Sequence, residues 1–223
     1  MFKASHLSLA CLAATLQLAP AAISLQFSTG TSSLNNIADQ FSTVSNGLLW
    51  GVLVDRDNGG FGGLEITEDV GLNLSDGVEL SPGYFFWIGG TTVNQPFGSD
   101  SPGAGTITTT RTFDPSSEGG IVLSKDAGTG DPTGSNFALI WFGLDGGVPL
   151  AEDDALEAGD PYGLLTHPNF QLPAQGDTNV PYYEFTGVDP VRPAEFTVEP
   201  VPEPAVSLLA IGGLILLGSR RRR

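Results

Sequence analysis

Cysteine is almost missing from this chain of 223 residues: the single one, Cys11, lies inside an apolar N-terminal stretch. Once that stretch is removed the protein is cysteine-free, so its stability cannot depend on disulfides, even in an oxidising compartment that permits them. Ser8-Leu9-Ala10-Cys11 faintly resembles a lipoprotein cleavage box but falls too early in the apolar run. Basic residues are equally scarce. Five of the nine are Lys3 and Arg220 to Arg223, at the two ends. Between residues 25 and 200 only Arg56, Arg111, Lys125 and Arg192 stand against 24 acids, a net of −20. Such a field repels phosphate backbones, which argues against a nucleic-acid partner. It fits solubility and mutual repulsion among copies, or divalent-cation binding.

Catalytic side chains are thin as well. After the N-terminal segment the only histidine is His167, for which the adjacent Pro168 predicts a loop, so no metal-type histidine pair exists. No Gly-x-Ser-x-Gly elbow and no phosphate-cradling glycine-lysine loop occurs. No catalytic residue is assigned and no cofactor is expected, with calcium the one alternative. A glycosidase needs only two carboxylates about 5–10 Å apart, which keeps a glycan-active hydrolase as a third reading.

What is present at the ends is more specific. Met1 to His6 carries one lysine, Leu7 to Leu18 is apolar, and Ala19, Ala21, Ala22 and Ser24 are small. This is the pattern of a secretion signal over residues 1–24, cut by signal peptidase after Ala21, Ala22 or Ser24. Pro20 and the polar, strand-like sequence beyond it argue against a buried helix. The chain closes on Val201-Pro202-Glu203-Pro204, an apolar run from Ala205 to Gly218, Ser219 and Arg220, Arg221, Arg222 and Arg223. Fifteen residues make a helix of about 22 Å, short of a hydrocarbon core of ~30 Å, although arginine stems lengthen its reach. The arginines stay on the cytoplasmic side, and the prolines keep the preceding strip extended and open to a protease.

Residues 201–223 resemble the PEP-CTERM sorting signal, with each part where that family has it. The resemblance implies an inner-membrane precursor cut by exosortase, a membrane cysteine protease-transpeptidase. It further implies an envelope with an outer membrane and exopolysaccharide, and a cell-surface or matrix destination.

Residues 25–200 break into short apolar or alternating runs punctuated by Gly, Pro, Asp and Asn, with almost no helical period. Candidate strands are residues 24–28, 48–55, 61–66, 84–88, 105–113, 120–124, 136–144, 162–166, 182–186 and 194–198. Their number predicts an all-β domain, an antiparallel, jelly-roll-like β-sandwich, flanked by the signal helix and the short transmembrane helix. Residues 34–41 and 152–158 are the only plausible helical turns. Leu49-Trp50-Gly51-Val52-Leu53 and Ile140-Trp141-Phe142-Gly143-Leu144 echo each other. Both read as central strands buried on two faces, with Trp50 and Trp141 in one core and Asp-Gly turns at the same edge.

Three features in this domain could carry binding. Asp55-Arg56-Asp57-Asn58-Gly59-Gly60 resembles a truncated calcium loop, with Asp55, Asp57 and Asn58 as ligands, but also reads as a plain hairpin turn. Glu152-Asp153-Asp154, followed by Glu157 and Asp160, reads as a solvated acidic loop or as a calcium collector. Tyr84 and Trp87, and more loosely Tyr182 and Tyr183, are candidates for stacking on sugar. The expected function is a structural or adhesive exported protein, with a carbohydrate- or calcium-binding module for exopolysaccharide as the alternative.

Overall fold

The computed structural model describes residues 23–26, 28–29, 32–68, 72–97, 101–107, 110–113, 133–174, 178–179 and 190–201. The sorting residues 202–204 and 220–223, Lys125, Tyr182, Tyr183 and candidate strands 120–124 and 182–186 lie outside them. The described residues are all-β and contain no helix. None of their segments is therefore a helix long and apolar enough to cross a membrane.

In chain order the strands are β1 (Ile23–Gln26), β2 (Ser28–Thr29), β3 (Ser32–Ser33), β4 (Leu49–Asp55), β5 (Val78–Ser81), β6 (Tyr84–Thr91), β7 (Val93–Phe97), β8 (Ser101–Thr106), β9 (Thr110–Phe113), β10 (Asn136–Phe142), β11 (Leu144–Asp145), β12 (Val148–Pro149), β13 (Pro161–Gln171), β14 (Thr178–Asn179) and β15 (Phe196–Thr197). Six of them form the main antiparallel sheet, in the order β15-β13-β10-β4-β6-β5. A smaller sheet runs β14-β1-β9, with β1 antiparallel to β9 and parallel to β14.

The central strands β4 and β10 carry almost no polar residues because both faces of the sheet are covered. All seven residues of β4 are buried, and all of β10 but Asn136. On one face Trp50, Val52, Trp87, Leu139 and Trp141, with Phe170 of β13, pack under Leu25, Ile37 and Ile107. On the other, Leu53, Phe86, Ile140 and Phe142 pack under Ile66, Leu74, Leu156 and Val198. Trp50 and Trp141 are direct partners in the ladder and share the first core, as their matching runs indicate. The indoles are accommodated by missing side chains. A Cβ on Gly89 would collide with the ring of Trp50, and one on Gly163 with the ring of Trp141.

Several expectations need correction, among them the loop expected at His167, which lies within β13. Residues 61–66 form no strand; Phe61, Leu64 and Ile66 instead pack across the second face from an irregular segment. Residues 34–41 form isolated bridges and a turn rather than a helical turn, and 152–158 form turns and one bridge. The Asp-Gly segments do not share an edge. β4 and β10 are antiparallel, Asp55 pairing with Asn136, so Asp55 and Asp145 finish at opposite ends of the sheet.

Candidate functional site

Asp55 ends β4 and is buried at 2% exposure, which a lone carboxylate tolerates only with hydrogen-bond donors. The main chain supplies two: the N–H of Asp57 donates to Oδ1 at 3.1 Å and that of Gly60 to Oδ2 at 2.6 Å. Asn58 occupies the left-handed region at φ 57°, where asparagine is the best-tolerated side chain after glycine. Its Oδ1 accepts the N–H of Asn136 at 2.7 Å, and its Nδ2 donates to the carbonyl of Gly134 at 3.2 Å. Asp57 Oδ1 accepts from Arg56 Nε at 3.1 Å, on the surface, where such pairs contribute about 0–1 kcal/mol.

Asp55, Asp57 and Asn58 therefore each bind protein partners, and Asn58 alone of the three reaches through its side chain to the start of β10. Nor is the segment a hairpin turn, because β4 pairs with β10 and β6, and the chain after Gly60 joins neither side of it as a strand. It is a loop folded back on itself by Asp55 and tied to the start of β10 by Asn58.

Among the described residues, Tyr84 and Trp87 do not make a sugar platform together. Trp87 is 1% exposed inside the first core, so its indole cannot meet a glycan. Tyr84 is half-buried, 5.6 Å from Phe61 between ring centroids, and its hydroxyl donates to the Gly60 carbonyl at 2.6 Å. Burial, then the charges of Asp55 and Asp57, hold this phenol above its ordinary pKa. Its role is to brace the loop.

The acidic run is a turn. Asp154 Oδ2 accepts the N–H of Ala151 at 2.7 Å, and the N–H of Asp153 donates to the Leu74 carbonyl at 2.8 Å. Glu152, Asp153 and Asp154 are exposed there.

At the opposite end of the sheet from Asp55 lies an open groove of about 700 Å³. Asp145, Glu157, Asp160 and Glu195 line it, and none of its described lining residues is basic. Gln40 shapes the floor by pinning Leu144 twice, donating to its carbonyl at 2.9 Å and accepting its N–H at 3.0 Å. Asp160 is 5% exposed, and its Oδ2 accepts the N–H of Glu157 at 2.7 Å. Burial is the main cause that raises its carboxyl above the ordinary value; Asp145 and Glu157 add to it, and the Glu157 hydrogen bond opposes. Asp145 and Glu195 join the site from segments remote in sequence, so no local pattern could have grouped them with Asp160. No set of three or more His, Cys, Asp or Glu placed to hold a metal occurs among the described residues.

Comparison with known proteins adds no relative: no family model, no curated sequence and no solved structure matches the chain.

Proposed function

We propose that this chain is an exported structural or adhesive protein of the cell surface or extracellular matrix, sorted by an exosortase-type system. The observation that carries the reading is the tail: Pro202-Glu203-Pro204, a short apolar run and Arg220 to Arg223, in the order a PEP-CTERM signal has. On this reading signal peptidase removes residues 1–24. Residues 205–219 hold the precursor in the inner membrane as a short helix until exosortase cuts. Burial of Trp50, Trp87 and Trp141 supports a structural role, since none is left to stack on sugar. Leu25 of β1 packs into the same core as Trp50, which supports β14-β1-β9 as part of a second layer in a jelly-roll-like sandwich.

The test is a Pro202→Ala, Pro204→Ala double variant in an exosortase-competent host. The expected result is an uncut, membrane-held precursor, and unchanged processing contradicts the proposal. The acidic groove favours one second reading, a module that binds polysaccharide or calcium. Glycan-array binding that disappears with a chelator would support it, and uniform silence would support the structural role. A glycan-active hydrolase stands third, resting on the same carboxylates.

A further inference from the structure

Four Asp–Pro peptide bonds interrupt the acidic domain: Asp114–Pro115, Asp131–Pro132, Asp160–Pro161 and Asp189–Pro190. This dipeptide carries its own hydrolytic chemistry. The side-chain carboxyl can close a five-membered ring on its own main-chain carbonyl, and proline leaves as a comparatively basic secondary amine. Carboxylates act as covalent nucleophiles in the same sense in many enzymes.

Asp160–Pro161 is the pair of which both residues are described, and its surroundings suit the reaction. The Asp160 carbonyl oxygen accepts the N–H of Val198 at 2.9 Å, so a donor already stands where negative charge would grow during attack. Oδ2 is anchored by the Glu157 N–H at 2.7 Å, leaving Oδ1 as the nucleophile. The N–H of Gly143 donates to the Pro161 carbonyl at 2.7 Å and fixes the leaving side. Both residues line the open groove, which admits water.

We propose that Asp160–Pro161 is a self-cleavage site that operates in mild acid. Oδ1 of Asp160 bonds to the Asp160 main-chain carbonyl carbon, forming a cyclic anhydride. The C–N bond to Pro161 breaks, its electron pair stays on nitrogen, and the carboxyl proton passes to that nitrogen. One water then opens the anhydride, restoring the side-chain carboxyl and leaving a new α-carboxyl on Asp160. The sum is hydrolysis of one peptide bond.

Among the described residues, the titratable groups that line the groove with Asp160 are all acids: Glu157 on its own turn, Asp145 on β11 and Glu195 ahead of β15. Its raised carboxyl keeps the transferable proton at higher pH than an ordinary aspartate would. Pro161 begins β13, which stays paired with β10 after the cut, so the product is a nicked but assembled domain. The nick uncouples the chain up to Asp160 covalently from the tail-bearing part.

The test is intact-mass analysis of the folded full chain held at about pH 4.5 and about pH 7.5. Cleavage between Asp160 and Pro161 is expected to run on the order of a hundredfold faster at the lower pH, following the protonated fraction of the carboxyl, and about tenfold ahead of the other three bonds. Urea should abolish that preference. Asp160→Asn keeps an acceptor for the Glu157 N–H and should stop the cut; Pro161→Ala, as an independent variant, should slow it. An intact bond in the folded protein, equal cutting at all four bonds, or cutting of Asp160→Asn at the parent rate each overturns the proposal.

Discussion

Trp141 on β10 and Gly163 on β13 are paired across the sheet, and the indole fills the space that a side chain at 163 would occupy. The ring is held there by its Nε1–H, which donates to the Ala38 carbonyl at 3.2 Å. Gly163→Ala must therefore displace a buried indole from its hydrogen bond. Overpacking of this kind costs about 1–3 kcal/mol. Urea unfolding is expected to show a lowered midpoint at unchanged slope, and a midpoint equal to the parent's would mean that the ring moves freely.

Removing the other partner leaves a hole instead. Trp141→Ala creates a cavity in the first core and orphans the Ala38 carbonyl, with a loss of about 3–5 kcal/mol. Calorimetry should show the fall in Tm, larger than that of Gly163→Ala.

Asn58 offers a way to separate a loop tie from a metal ligand. Asn58→Ala forfeits both bonds toward β10 and keeps a strained positive φ, for a loss of about 1–3 kcal/mol. With the loop acting as a tie, thermal unfolding of the parent in calcium and in EDTA should coincide. A calcium-dependent rise in Tm that Asn58→Ala removes would instead assign Asp55, Asp57 and Asn58 to a cation.

Asp160 makes a signed pH prediction. Its folded pKa lies above the ordinary carboxylate value, so the folded state binds a proton more tightly than the unfolded chain. The associated stability is present below about pH 4 and is lost as pH rises through the raised folded value. Asp160→Asn lacks this term. The parent's stability relative to the variant should decline across that window, measured by urea midpoints at successive pH values. A difference that is flat or grows with pH would be the wrong sign.

The sequence carried the centre of the fold well because β4 and β10 are continuous apolar runs flanked by turn residues, a pattern that follows from burial on two faces. It carried the edges less well. β5 is only four residues with an exposed Glu79, too short to show a period. Residues 61–66 show the apolar spacing of a strand, yet they satisfy the second face as an irregular cover. Asp55 looked like a ligand because a buried carboxylate serving backbone N–H groups and one serving calcium use the same residues and glycines. The groove was illegible in principle, since Asp145, Asp160 and Glu195 meet only after β10, β13 and β15 pair.

The most direct test of the central claim is the mass of the mature C-terminus. The full chain, expressed in an exosortase-competent host and in the same host lacking exosortase, would be recovered from membrane and surface fractions and weighed intact. Sorting by exosortase predicts loss of the tail carrying Arg220 to Arg223 only when exosortase is present, with the uncut form confined to the membrane. An intact tail in both hosts, or the same truncation in both, would contradict it.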